Sequence, residues 1–273
     1  IVGLNKEVAT IIDVETMEPH SDYHLLFEEN IYPYFEGADY SRRAKEKPLG
    51  YAGDYEMMNQ IYRSTFEGKD LFGKILHHYT ATEVSAQSVY FRRPYFCEHY
   101  KRILKEKPGQ DVHILSLASG PCVEFQQLIA DLPQEDLSRL KLTLLDLDPK
   151  SLEHAQSKIY EQCLRYDKTV NIQFVRTSVR VFAEGKNVFE NKFDLIYSGG
   201  LFDYLDNQVS TAIVTNLYGH LNEGGRMSIG NFTKDDTTKA FCHLIFEWHL
   251  IHKTEEEIVA WGKYIKNLSL IHI

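Results

Sequence analysis

The residues of this chain best suited to chemistry lie where short apolar runs stop. Leu115-Ser116-Leu117-Ala118-Ser119-Gly120-Pro121-Cys122 reads as a strand that ends in a small-residue turn and enters a helix. Small side chains let a backbone pass close to a ligand, and open α/β sheets bind ligands beyond the carboxyl ends of their strands. About 26 residues further on, Leu144-Leu145-Asp146-Leu147-Asp148-Pro149 closes a second run with acid. A carboxylate there can accept both hydroxyl protons of a ribose, although an acid before Asp-Pro can also cap the next helix. Phe193-Asp194-Leu195-Ile196-Tyr197-Ser198-Gly199-Gly200 repeats the passage from apolar run to small residues, and Asp203 and Tyr204 follow it as candidate general bases or as ordinary loop residues. His220 reads as a helix-end residue facing the dipole. Arg92 and Arg93 could pair bidentately with a carboxylate or form surface salt bridges.

Elements able to position these residues alternate in period. Val112 to Leu117 is a strand, and Val123 to Leu132 places Phe125, Leu128, Ile129 and Leu132 on one helical face. Leu142 to Leu145, Ile172 to Val175, Phe193 to Tyr197 and Arg226 to Ile229 are further strands. Between them, Leu152, Ala155, Ile159 and Cys163 form one helix stripe, and Val209, Ile213, Leu217 and Leu221 form another, closed by the turn Asn222-Glu223-Gly224-Gly225. This strand and helix alternation is the signature of βαβ units and a parallel sheet. A helix is expected around Thr238 to Trp248, a capping box at Thr254-Glu255-Glu256-Glu257 starts another, and Leu268 to Ile273 could add a sixth strand. The first hundred residues lack the alternation, so the expected domains are a helical cap and substrate region over 1–106 and an α/β domain over 107–273.

Thirty basic and thirty-nine acidic side chains give a net charge of −9, a field that repels phosphate backbones and makes nucleic acid an unexpected partner. The four cysteines show no C-x-x-C pair, and no apolar run approaches the roughly 20 residues of a membrane span. These features, with no visible secretory signal, lead to the expectation of a cytoplasmic protein without stable membrane insertion. No third ligand stands at a recognisable spacing from His77-His78, His249 or His252, so no metal is expected.

The ordered series of small-residue turn, acid, third strand, fourth strand and Gly-Gly turn resembles the class I S-adenosylmethionine (SAM) dependent methyltransferases over roughly Asp111 to Phe232. The resemblance implies a Rossmann-like α/β sheet flanked by helices. It also implies SAM as cofactor, with Ala118, Ser119 and Gly120 facing its methionine part, Asp146 holding the ribose and Leu147 packing on the adenine. Ser178 and Val179 would lie at the adenine edge, and Ser198 and Gly199 beside the active site. The chain departs from the family in having one glycine in the first turn and Ser178 where an acid is frequent. A nicotinamide pyrophosphate would need G-x-G-x-x-G amides, which Gly120-Pro121 does not supply.

Lys47-Pro48-Leu49-Gly50-Tyr51-Ala52-Gly53-Asp54-Tyr55 reads either as a turn before an amphipathic helix or as a lid loop. Together with the Ser119-Gly120-Pro121-Cys122 turn and the Trp248-His249 segment, it resembles the subgroup that includes bacterial synthases of 3-hydroxy fatty acid methyl esters, which are quorum signals. That resemblance implies a lipophilic carboxylate acceptor; beside it, Tyr51, Asp54 and Tyr55 are the substrate candidates of the lid reading, Arg92 could pair with the carboxylate, and Tyr204 and Asp203 are the candidate bases if the acceptor is instead a hydroxyl or amine. An ionised carboxylate needs none. N- or O-methylation of another metabolite, or a non-catalytic SAM-binding regulatory module, are the alternatives.

Overall fold

The computed structural model describes residues 7–8, 22–266 and 268–269. Two compact units divide the chain. One runs through Phe91 and includes Asp235–Leu250; the other comprises Arg92–Lys234 and the chain from Ile251 onward.

This division corrects the expected boundary at 106/107 in two ways. Residues 92–106 belong to the α/β unit, and Asp235–Leu250 belongs to the helical one. The second shift has a packing cause. In the helical unit, α1 (Asp22–Asn30), α2 (Tyr32–Phe35), α3 (Asp39–Glu46), α4 (Tyr55–Arg63) and α5 (Leu71–Ala81) receive the helix Lys239–Phe246. Phe241 of that helix meets Phe35 edge-on at 5.4 Å, and Phe246 meets Tyr40 at 5.5 Å. These buried rings complete a core that the N-terminal helices alone leave open. The helix α6 (Val84–Glu106) carries Pro94, which lacks the N–H that would bond the carbonyl of Tyr90.

In the α/β unit, five parallel strands run in the order β3-β2-β1-β4-β5, with β1 Val112–Leu117, β2 Leu140–Asp146, β3 Asn171–Arg176, β4 Phe193–Ser198 and β5 Leu221–Ile229. Alternate residues serve opposite faces. Ile114, Leu142, Leu144, Leu195 and Tyr197 join the cluster containing Phe96, Tyr100, Phe125 and Ile159, whereas Leu115, Leu117, Leu145 and Ile196 join Phe182, Phe202, Ile213 and Trp261. Burial on both faces explains why these strands read as continuous apolar runs.

β5 begins earlier than the expected Arg226. Leu221 pairs with Phe193, a register irregularity follows, and Arg226 then pairs with Leu195. Asn222–Gly225 is thus a bulged strand segment. A side chain at Gly225 would come within 2.9 Å of the Phe193 carbonyl oxygen, so only glycine fits that approach. Leu268 and Ser269 adopt no strand, and the rest of the expected sixth strand lies outside the described residues.

Candidate functional site

The order of the sheet reverses between β1 and β4, the point where ligands bind in such folds. β1 ends there in a strained turn: Ala118, Gly120 and Cys122 all have left-handed backbone, with φ of +50°, +54° and +50°. A side chain at Gly120 would meet nothing within 4 Å, so the turn has open space beside it. α7 (Val123–Asp131) starts from this turn. The hydroxyl oxygens of Ser119 and of Ser198, at the end of β4, are buried without a hydrogen-bond partner. Two unpartnered hydroxyls at the carboxyl ends of adjacent strands are placed to bond polar groups brought by a ligand.

Asp146 ends β2 and is 8% exposed. Its carboxylate accepts the Gly120 N–H at 3.0 Å, the Asp148 N–H at 3.0 Å and the Ser151 hydroxyl at 3.2 Å. A carboxylate offers about four acceptor directions, so one remains. Asp146 therefore braces the glycine turn and keeps acceptor capacity for a further hydrogen bond. Burial raises its pKa against these donors. Leu147, the next residue, is 64% exposed, an uncovered apolar side chain just beyond the end of β2. Ser178 accepts the Arg180 N–H at 3.3 Å and so opens the one-turn helix Arg180–Ala183, while Val179 packs beside Phe182.

Beyond β4 the guanidinium of Arg92 sits among glycines. Its Nη1 donates to the Gly199 carbonyl, its Nη2 lies 4.0 Å from Asp203, and its plane lies over Phe232 at 4.9 Å. A side chain at Gly200 would approach Arg92 Nη1 to 3.1 Å, and one at Gly230 would come within 3.6 Å of Nε. The bare backbone lets the guanidinium pack close against both glycines, with the Gly199 carbonyl taking one N–H of its five-donor fork.

Asp203, expected as a candidate base, is 2% exposed. Its Oδ1 accepts the Phe232 N–H at 2.6 Å, and its main-chain oxygen accepts the Ile251 N–H at 2.7 Å. Burial raises its pKa, with Arg92, the Phe232 N–H, Lys253 and His252 acting against that rise. Asp203 is thus enclosed and ties the chain at Phe232 and Ile251 to the end of β4, where the sequence left open an exposed loop residue or a base. Tyr204 beside it is exposed in the turn Phe202–Tyr204. Lys253, buried, donates to the carbonyls of Phe202 at 2.9 Å and Ile251 at 3.2 Å and to Asn231 Oδ1 at 3.3 Å. His220 packs edge-on against Phe182, and burial lowers its pKa, so it meets the helix end as a neutral ring.

In the helical unit, Asp54 is fully buried. It caps α4 through the Glu56 and Met57 N–H groups, both at 3.0 Å, and takes Arg43 at 2.7–3.1 Å on both oxygens. The stretch before it is thus a pinned turn leading into an amphipathic helix. Asp54 has no carboxylate oxygen to offer a substrate, whereas Tyr51 is exposed and Tyr55 half-buried.

Sequence reasoning missed Glu124, whose carboxylate accepts the Tyr197 hydroxyl at 2.5 Å inside the core. A signal was present: Glu124 stands four residues before Leu128 and so on the buried stripe of α7.

No family model matches the chain. It is 26% identical over 120 residues to malonyl-[acyl-carrier protein] O-methyltransferase 1 of Ilyobacter polytropus; the match spans 44% of this chain and only 38% of that relative's length. The magnesium protoporphyrin IX methyltransferase of Synechocystis PCC 6803, solved with bound S-adenosylhomocysteine (SAH), superposes with a TM-score of 0.51 at 11% identity, covering 87% of this chain and 88% of that one. The CurJ carbon methyltransferase superposes with a TM-score of 0.51 at 12% identity, covering 91% of this chain and 64% of the other. The fold is the Rossmann-like class I methyltransferase fold.

Proposed function

We propose that the chain is a SAM-dependent methyltransferase of a small molecule, and that its acceptor is the carboxylate of a lipophilic acid, with 3-hydroxy fatty acids the first candidates. The observation that carries this reading is the Ala118–Cys122 turn at the switch point, with open space at Gly120 and unpartnered hydroxyls at Ser119 and Ser198. These groups fit a cofactor that brings amine, carboxylate and ribose hydroxyls but no phosphate. Asp146 would accept one ribose hydroxyl, and Leu147, Ser178 and Val179 would border the adenine. Bound there, SAM supplies a methyl group on a sulfonium, which an ionised carboxylate can take up without a base.

The chain's own contribution is then to bind, orient and desolvate. Arg92, held by the Gly199 carbonyl and Phe232, presents its remaining N–H groups to a planar anion, which supports a carboxylate acceptor. Asp203 keeps the guanidinium from swinging away. O-methyl transfer, the reaction in the name of the Ilyobacter relative, is in line with this assignment.

Calorimetric titration with SAH, with NADH as control, tests the cofactor, and methyl ester formation from a series of 3-hydroxy acids tests the acceptor. Arg92→Lys is expected to raise the acceptor KM by about tenfold with SAH affinity unchanged, because lysine cannot reproduce the fork. Binding of NADH in place of SAH would overturn the methyltransferase reading. Tight SAH binding with turnover only on amines or phenols would overturn the carboxylate assignment.

A further inference from the structure

The mechanism above leaves one buried acid unused. Glu124 lies in the first turn of α7, two residues after Cys122 closes the proposed cofactor turn, and is 7% exposed. Tyr197 donates its hydroxyl to Oε1 at 2.5 Å, the Tyr100 hydroxyl lies 3.1 Å from that of Tyr197, and Cys122 Sγ lies 3.5 Å from Oε1. Cys97 donates to the main-chain oxygen of Glu124 at 3.4 Å. Each of these partners is neutral. An ionised carboxylate in a core with no cation bonded to it is costly, whereas the helix N-terminus and the Tyr197 hydroxyl both favour the charged form. A positive charge brought to the turn would join the groups that favour the charged form.

We propose that Glu124 senses the positive charge of the cofactor: its carboxyl is neutral in the cofactor-free protein and releases its proton to solvent when a sulfonium-bearing ligand occupies the Ala118–Cys122 turn. This inference rests on the methyltransferase reading. The negative charge formed on Glu124 is balanced by the net positive charge of SAM. SAH has a neutral thioether in place of the sulfonium and draws the proton less, so the same residue favours substrate cofactor over product.

The surroundings leave Glu124 in command of this titration. From α6 it is faced by Cys97, pushed up to about 12, and Tyr100, from the turn by Cys122 and from β4 by Tyr197, all raised by burial beyond the range in which a carboxyl titrates. Burial raises Glu124 itself from its ordinary value. Arg93, Lys101 and Asp131 also act electrostatically on Cys97. Asp146, bonded to the Gly120 N–H, is the second acid at the turn, and the experiment separates it from Glu124.

The whole chain is titrated with SAM and with SAH from about pH 5.5 to 8 in two buffers of different ionisation enthalpy. For the wild type, SAM binding is expected to release a proton and to tighten as pH rises, by up to about tenfold per unit, with SAH nearly flat. Glu124→Gln should remove both the slope and the proton release and cut the preference for SAM over SAH by about tenfold. Tyr197→Phe, which takes away a donor to the ionised form, should keep the slope and move its midpoint to higher pH. Proton release that persists in Glu124→Gln would transfer the role to Asp146 and overturn the proposal, as would equal pH dependence for the two ligands. Failure of both ligands to bind at any pH would remove the methyltransferase reading and this inference with it.

Discussion

Asp54 separates a brace from a substrate contact, and its removal has a calculable effect. Asp54→Ala deletes two capping bonds to α4 and both carboxylate oxygens that hold Arg43. Loss of a helix cap costs about 1 kcal/mol. Breaking a buried ion pair by removing one partner costs about 3–5 kcal/mol, and because Arg43 keeps 24% of its side chain exposed, water recovers part of that and leaves about 2 kcal/mol. The sum is about 3 kcal/mol. Asp54→Asn keeps an oxygen for the cap and loses the charge, so it should cost only the second part, about 2 kcal/mol. Urea denaturation followed by circular dichroism reads both values, and SAH affinity should be unchanged. If Asp54→Ala unfolds at the wild-type urea concentration while the acceptor KM rises, Asp54 is a substrate contact and the bracing argument is wrong.

Gly120→Ala should cost about 1 kcal/mol of stability for its left-handed backbone and lower SAH affinity by about tenfold or more, since its methyl enters open space beside the turn; calorimetry that finds unchanged affinity would place the ligand elsewhere. Glu124 has a folded pKa above its ordinary 4.5, so the stability it contributes is complete below that value and is lost as pH rises through the raised one. Glu124→Gln should therefore gain stability relative to wild type as pH increases from about 4.5 towards neutrality, and parallel stability curves would refute this. Lys253→Met should destabilise by about 3 kcal/mol in denaturant titration, because the oxygens of Phe202, Ile251 and Asn231 lose their shared donor.

Much of the α/β unit was legible because β1, β2 and β4 are buried on both faces, and because the Ala118–Cys122 turn and the Thr254–Glu257 capping box are written in consecutive residues. The site was legible to the extent that it is local. Asp146 was rightly placed at the end of its strand, yet its partners Gly120 and Ser151 are set by tertiary closure, and they use most of the acceptor capacity that the sequence appeared to offer. Asp203 follows β4 as an exposed loop base would, and only the return of the chain at Phe232 and Ile251 shows that it is enclosed. Arg92 lies far in sequence from the glycines that make room for it. The start of β5 was hidden because Asn-Glu-Gly-Gly has the composition of a turn whether or not the strand continues through it.

The excursion Asp235–Leu250 leaves and re-enters the α/β unit between anchored ends: Thr233 bridges Lys253, and Asp203 holds both Phe232 and Ile251. Its helix supplies Phe241 and Phe246 to a core whose other rings, Phe35 and Tyr40, lie near the start of the chain. On the ribosome, the helices carrying Phe35 and Tyr40, made before the sheet, must therefore wait until all five strands have been made before their aromatic side chains are covered. A unit that starts before the sheet is completed after it, which lengthens its exposure to chaperones and proteases during synthesis and couples its yield to prompt folding of the sheet.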